Sequence, residues 1–154
     1  MALKFSAAII ALFISAIHLE WGLDRLLWQL EAGIVHDPRP ALFVVSAIAI
    51  VIGLTLRVIN VGNTRLLYLG GIVMMCAYLL GYLAWHSILG HGSFWPWNDH
   101  VHYHDSFTLA ILAEHLKTDA VAGISKFLEL VLLVILLILY HGDTEPDGVT
   151  EESQ

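Results

Sequence analysis

Residues 120–140 read AVAGISKFLELVLLVILLILY, and this run decides the fold. Wound as an α-helix at about 1.5 Å per residue, it reaches about 30 Å, the thickness of the hydrocarbon core of a bilayer. Lys126 and Glu129 are its only acid or base, and both lie in its first half with Ser125. Asp119 stands just ahead of it as a natural N-cap.

Working back along the chain, three more runs have the same character. Residues 65–89 are apolar with Gly70, Gly71, Ala77 and Gly81 as small positions, and Tyr78, Tyr82 and His86 recur at i, i+4 and i+8. Residues 41–60 form a second run, with Gly53 inside it and Arg57 near its end. Residues 3–22 form a third, in which Ala7, Ala11, Ser15, His18 and Gly22 fall on one helical face. Such a stripe of small residues lets membrane helices approach closely. Helical periodicity continues beyond it through Asp24, Arg25, Leu27, Trp28 and Glu31. The rival reading of this first run is a cleaved signal peptide, since Lys4 precedes the apolar stretch and Ser15-Ala16 lies within it.

The connections carry turn chemistry. Residues 33–40 hold Gly33, Asp37-Pro38 and Arg39-Pro40, read as helix stops, and residues 61–64 make a tight turn with Gly62 and Asn63. Between the third and fourth runs, Asp105 or Ser106 can cap a short helix over residues 107–117, whose length suits the membrane interface rather than a crossing. The expected fold is all-α: an integral membrane four-helix bundle with a short extra interfacial helix between spans 3 and 4. Residues 1–141 make one four-span domain, and residues 142–154 an acidic disordered tail.

Composition agrees. The 154 residues are 58% hydrophobic and only 14% charged, far from the balance of a soluble domain. The net charge of −7 is uneven, because Asp143, Glu145, Asp147, Glu151 and Glu152 in the tail supply five negative charges with no base among them. No basic patch is present, which argues against nucleic acid as a partner. The lipid bilayer is the expected environment, with other membrane subunits or a second copy of the chain as protein partners. A single cysteine, Cys76, rules out an internal disulfide and any CxxC metal motif. Met74, Met75 and Cys76 lie in mid-span, where ordinary packing explains them better than a soft-metal path.

Arg57 and Arg65 flank the short turn between spans 2 and 3 with no acid nearby, so the positive-inside rule places that turn in the cytoplasm. Lys4 agrees. The expected location is the cell membrane, multi-pass, with both termini cytoplasmic and the connection between spans 3 and 4 outside.

That connection is the chemical centre of the sequence. Residues 85–114, WHSILGHGSFWPWNDHVHYHDSFTLAILAE, hold five of the nine histidines. His86, His91, Asp99, His100, His102, His104 and Asp105 are candidate metal ligands, since imidazole with carboxylate suits zinc or copper. His100, His102 and His104 alternate and would point to one side of an extended loop, with the flanking aspartates as ligands or as acceptors that fix the tautomer. The plain alternative is an interfacial loop, because His, Trp and Tyr favour the headgroup zone. Haem b is a second option: His18 and His86 lie on different helices at comparable depth and match a pair of axial ligands.

Polarity within the spans is one-sided. His18, Glu20, His86, Lys126 and Glu129 all fall in the outward half. An intramembrane charge costs several kcal/mol unless it faces the bundle interior and has a partner. Lys126 and Glu129, at i and i+3, can pair with each other. The sharper reading makes Glu129 a proton or cation site. Glu20, with Asp24 and Glu31, fits a solvated helix face or an additional outer carboxylate.

These features support a small membrane protein with an outward-facing His/carboxylate site for a transition metal or haem. The alternative is a non-catalytic accessory subunit of a larger membrane complex. A transporter is less favoured, because no span is broken near its centre. No nucleophile–base pair appears, which argues against an autonomous hydrolase.

Overall fold

The computed structural model describes residues 1–34, 37–87, 114 and 117–142. Their regular structure is all-helical, with no strand among the described residues, and comprises α1 (Ala2–Glu31), α2 (Arg39–Val58), α3 (Thr64–Ser87) and α4 (Ala120–Gly142). All four are long and apolar enough to cross a membrane. The interfacial helix expected over residues 107–117 lies largely outside the described residues; Glu114, Lys117 and Thr118 are described and are helical. The tail after Gly142 lies outside them too.

Each boundary has a local cause. At the end of α1, Gly33 takes φ +65°. The amides of Gly33 and Ile34 return to the carbonyls of Leu30 (3.2 Å) and Gln29 (3.0 Å), closing a Schellman motif. The end of α2 repeats it with Asn60 at φ +54°, where Asn60 and Val61 donate to Arg57 and Leu56. Asn63 Oδ1 then accepts from the amides of Arg65 (2.9 Å) and Leu66 (3.3 Å) and caps α3. Asp119 Oδ1 accepts from Ala122 (3.0 Å) and caps α4.

One expectation, a link lasting through Pro40, is corrected here. The first helix runs unbroken to Glu31, as the periodicity of residues 24–31 predicts. The link after it ends at Pro38, because Arg39 and Pro40 already belong to the first turn of α2, where proline's missing N–H costs nothing. The Asp37 carboxylate grips Arg39 through the guanidinium (2.6 Å) and its backbone amide (3.0 Å), fixing that start.

α1 packs closely against α2 and α4, α4 also against α3, while α2 and α3 approach less closely. The small-residue stripe is the buried face of α1: Ala7, Ala11, Ile14, Ser15, His18 and Gly22. Ser15 Oγ donates to the carbonyl of Ala47 on α2 (3.0 Å). A Cβ at Gly22 would lie 2.9 Å from the Pro40 carbonyl oxygen, so glycine permits this approach. Met75, Leu132, Ile135 and Leu139 complete a core with Ala7, Ala11, Ile14 and Tyr68. Met74 packs against that core, which is the ordinary role expected for the mid-span sulfur residues.

The outside of the bundle is apolar. Val45 and Phe127 are 64% and 65% exposed, and Phe5, Leu42, Leu66 and Val73 are comparably open. Large side chains bared in this way along every helix would aggregate in water, and they are compatible with lipid. Arginine–aromatic contacts mark both ends. Arg39 lies 3.7 Å from the ring centroid of Trp85 and Arg25 lies 4.0 Å from that of Trp21, while at the other end Arg65 lies 4.7 Å from that of Tyr140. From Arg65 to Trp85 along α3 is about 30 Å at 1.5 Å per residue, one hydrocarbon thickness.

Candidate functional site: a buried carboxylate between α1 and α4

At one level of the bundle all four helices contribute side chains to the interior: His18 from α1, Phe43 from α2, Tyr78 from α3, and Ser125, Lys126 and Glu129 from α4. Trp21 and Arg39 mark the nearer end of the bundle. Phe43 is four residues into α2 from Arg39, about 6 Å, and about 21 Å from Arg57 at the far end.

Glu129 is the centre of this layer and has no exposed surface. Its Oε1 accepts hydrogen bonds from Lys126 Nζ (2.8 Å), Ser125 Oγ (3.0 Å) and His18 Nε2 (3.1 Å), and Oε2 accepts from Lys126 Nζ (2.7 Å). An ionised carboxylate only accepts, so the His18 proton sits on Nε2. That leaves the lone pair on Nδ1, which is buried and has no hydrogen-bond partner. Ser125 Oγ also lies 3.5 Å from His18 Nε2.

Aromatic rings wall the layer. The His18 ring lies 4.8 Å from Phe43 and 4.3 Å from Tyr78, and Phe43 stacks on Tyr78 at 5.6 Å. Lys126 Nζ lies 5.5 Å from the centroid of Tyr78 and 5.2 Å from that of Tyr82, within cation–π range. The Lys126 side chain is 14% exposed where Glu129 is closed, so the lysine forms the rim and the carboxylate the floor. Above it, the His86 ring packs on Tyr82 at 4.2 Å and its Nδ1–H donates to the Tyr82 carbonyl (2.9 Å).

The sequence-level candidates therefore divide. The Lys126–Glu129 pair forms as the i, i+3 spacing suggested. His18, considered with His86 for haem, has its Nε2 on Glu129 from 111 residues away, while His86 stands with Tyr82. Glu20, Asp24 and Glu31 are on exposed surface of α1, apart from the buried layer. His91, Asp99, His100, His102, His104 and Asp105 lie outside the described residues. Among the described residues no group of three or more His, Cys, Asp or Glu is placed to hold a metal ion. Sequence reasoning missed Phe43 and Ser125 as parts of the site. Phe43 carries no signal of its own, and only the meeting of helices gives it a role, whereas the i, i+4 spacing of Ser125 and Glu129 was a signal within one helix.

The arrangement defines a class: an all-helical, four-span-capable bundle with a buried carboxylate–imidazole pair and a lysine at its rim. Comparison with protein-family models, curated proteins and solved structures returns no significant match, so the chemistry of the centre carries the functional reading.

Proposed function

We propose that this chain is a multi-pass membrane protein whose working element is a proton-binding centre made of His18, Ser125, Lys126 and Glu129. The observation that carries the reading is a fully buried carboxylate held by groups from two helices, one of them an imidazole whose far nitrogen has no partner. With Glu129 ionised, Lys126 charged and His18 neutral, the centre is electrically balanced. A proton arriving at His18 Nδ1 either stays, making an imidazolium beside the carboxylate, or moves the Nε2 proton onto Glu129 Oε1. In both cases the centre gains one proton and one positive charge. A sealed histidine–carboxylate pair suits proton uptake, since histidine titrates nearest neutrality and intramembrane ionisable groups mark proton relays.

Isotope-labelled histidine NMR of the full chain in lipid nanodiscs tests this, with His18 assigned by His18→Gln. Between about pH 4 and about pH 9 the His18 nitrogen shifts are expected to report a proton gained at Nδ1, a response that Glu129→Gln alters. A His18 signal constant over that range overturns the reading, leaves the cluster as a packing device, and favours the accessory-subunit alternative.

A transition-metal or haem centre is a second proposal, and one observation supports it. The His86 Nδ1–H donates to a backbone carbonyl, which puts the lone pair on Nε2, the tautomer a ligating histidine uses. His91, Asp99, His100, His102, His104 and Asp105 would supply the further ligands of a metal ion, and His18 would be the second axial ligand of a haem. The proposed setting is the cell membrane, with the turn between α2 and α3 and both termini in the cytoplasm and the histidine loop outside.

A further inference from the structure

We propose that the space now filled by Lys126 Nζ is a receptor for a small organic ammonium ion, and that Lys126 is its tethered, exchangeable occupant. The inference takes the centre described above as the working site and assigns it a second ligand beside the proton.

The walls have the chemistry of an ammonium site. Glu129 offers a closed carboxylate floor, and the Tyr78 and Tyr82 rings flank the nitrogen at 5.5 and 5.2 Å. A carboxylate under aromatic faces favours an alkylammonium, whose cationic head is attracted to the rings and whose stem tolerates apolar surroundings. A metal ion needs several oxygen or nitrogen ligands, and the described residues bring no such group together.

The occupant is held from the rim by a reversible geometry. In a helix the Cα–Cβ bonds tilt toward the N-terminus, so Glu129 leans toward Lys126 while Lys126 starts out directed away from it. Lysine before glutamate is the weaker order for such a pair. Lys126 nevertheless bends back to reach both carboxylate oxygens at 2.7 and 2.8 Å. Its other direction leads to the Trp21 and Arg39 end of the bundle, where a lysine snorkels readily. The side chain thus has two stations. Turning outward takes the ammonium off both Glu129 oxygens, and the bared carboxylate then draws in a cation of the same kind.

The experiment uses the full chain in nanodiscs and n-propylammonium, the fragment that Lys126→Ala deletes. Calorimetry is expected to show saturable binding to Lys126→Ala and none to Lys126→Ala/Glu129→Gln. Wild type should bind at least about tenfold more weakly, because the tethered amine competes at an effective concentration in the millimolar range. No binding to Lys126→Ala, or equal binding after Glu129→Gln, overturns the proposal. A wild-type measurement covers the case in which the variants fail to fold. Propylammonium should raise the labelling of Lys126 by an amine-reactive reagent relative to that of Lys4 and Lys117, read by mass spectrometry; the free amine consumes reagent and lowers all three alike, so the ratio is the readout. An unaltered ratio at saturating amine also refutes it. Normal His18 titration with no ammonium binding removes this inference alone; loss of both removes the centre itself.

Discussion

Removing either partner of the Lys126–Glu129 pair should have unequal costs, and the inequality follows from where each group sits. Glu129 has no exposed surface, so when Lys126→Met takes away its cation the carboxylate cannot turn toward water. Breaking a buried pair in this sense costs about 3–5 kcal/mol. Lys126 is 14% exposed and lies at the rim, so after Glu129→Gln its ammonium can swing outward and recover solvation. What Glu129→Gln then loses is a set of intramembrane hydrogen bonds, about 1–2 kcal/mol in all, some of which the Gln carbonyl keeps. The double variant should cost about as much as Glu129→Gln alone, giving a coupling energy of about 3–5 kcal/mol in magnitude. The Lys126→Met cost should also shrink on acidification, as Glu129 takes up a proton. A protonated Glu129 needs no cation, so the penalty is present at neutral pH and lost on acidification. Glu129→Gln should show no such trend. Reversible unfolding in mixed micelles, followed by circular dichroism, measures all four proteins. If Glu129→Gln is as costly as Lys126→Met, or the double variant costs their sum, the rim-and-floor account is wrong.

Two further predictions concern packing and the loop. Gly22→Ala should destabilise the bundle by about 1–3 kcal/mol in the same assay, since the new Cβ meets a backbone oxygen of α2 at 2.9 Å that cannot step aside. Gly71→Ala should stay within about 1 kcal/mol of wild type, because the atom it meets at 2.8 Å is the terminal methyl of Leu136, which can rotate away; equal costs for the two would refute this distinction. For the histidine loop, elemental analysis and an absorption spectrum should show stoichiometric transition metal or a Soret band, removed by joint substitution of His100, His102 and His104 or of His18 and His86 respectively. A colourless, metal-free protein ends that proposal.

Much of the architecture was legible because it depends on local chemistry. Apolar runs of bilayer length announce four helices whatever they pack against, and Asn63 and Asp119 cap α3 and α4 by hydrogen bonds within three residues. The i, i+3 pairing of Lys126 with Glu129 is likewise a property of one helix. The length of α1 was legible too, since helical periodicity continues through Asp24, Arg25, Leu27, Trp28 and Glu31. Its terminus is set by Gly33 at positive φ and not by polarity.

The sequence by itself determined that the chain is helical, where its helices run, and that costly polar groups crowd toward one end. Tertiary structure alone decided which of those groups meet. His18 and Glu129 are 111 residues apart, and nothing in their local spacing links them. They come together because the small-residue face of α1 lets α2 and α4 close around it, and because a buried carboxylate draws every donor within reach.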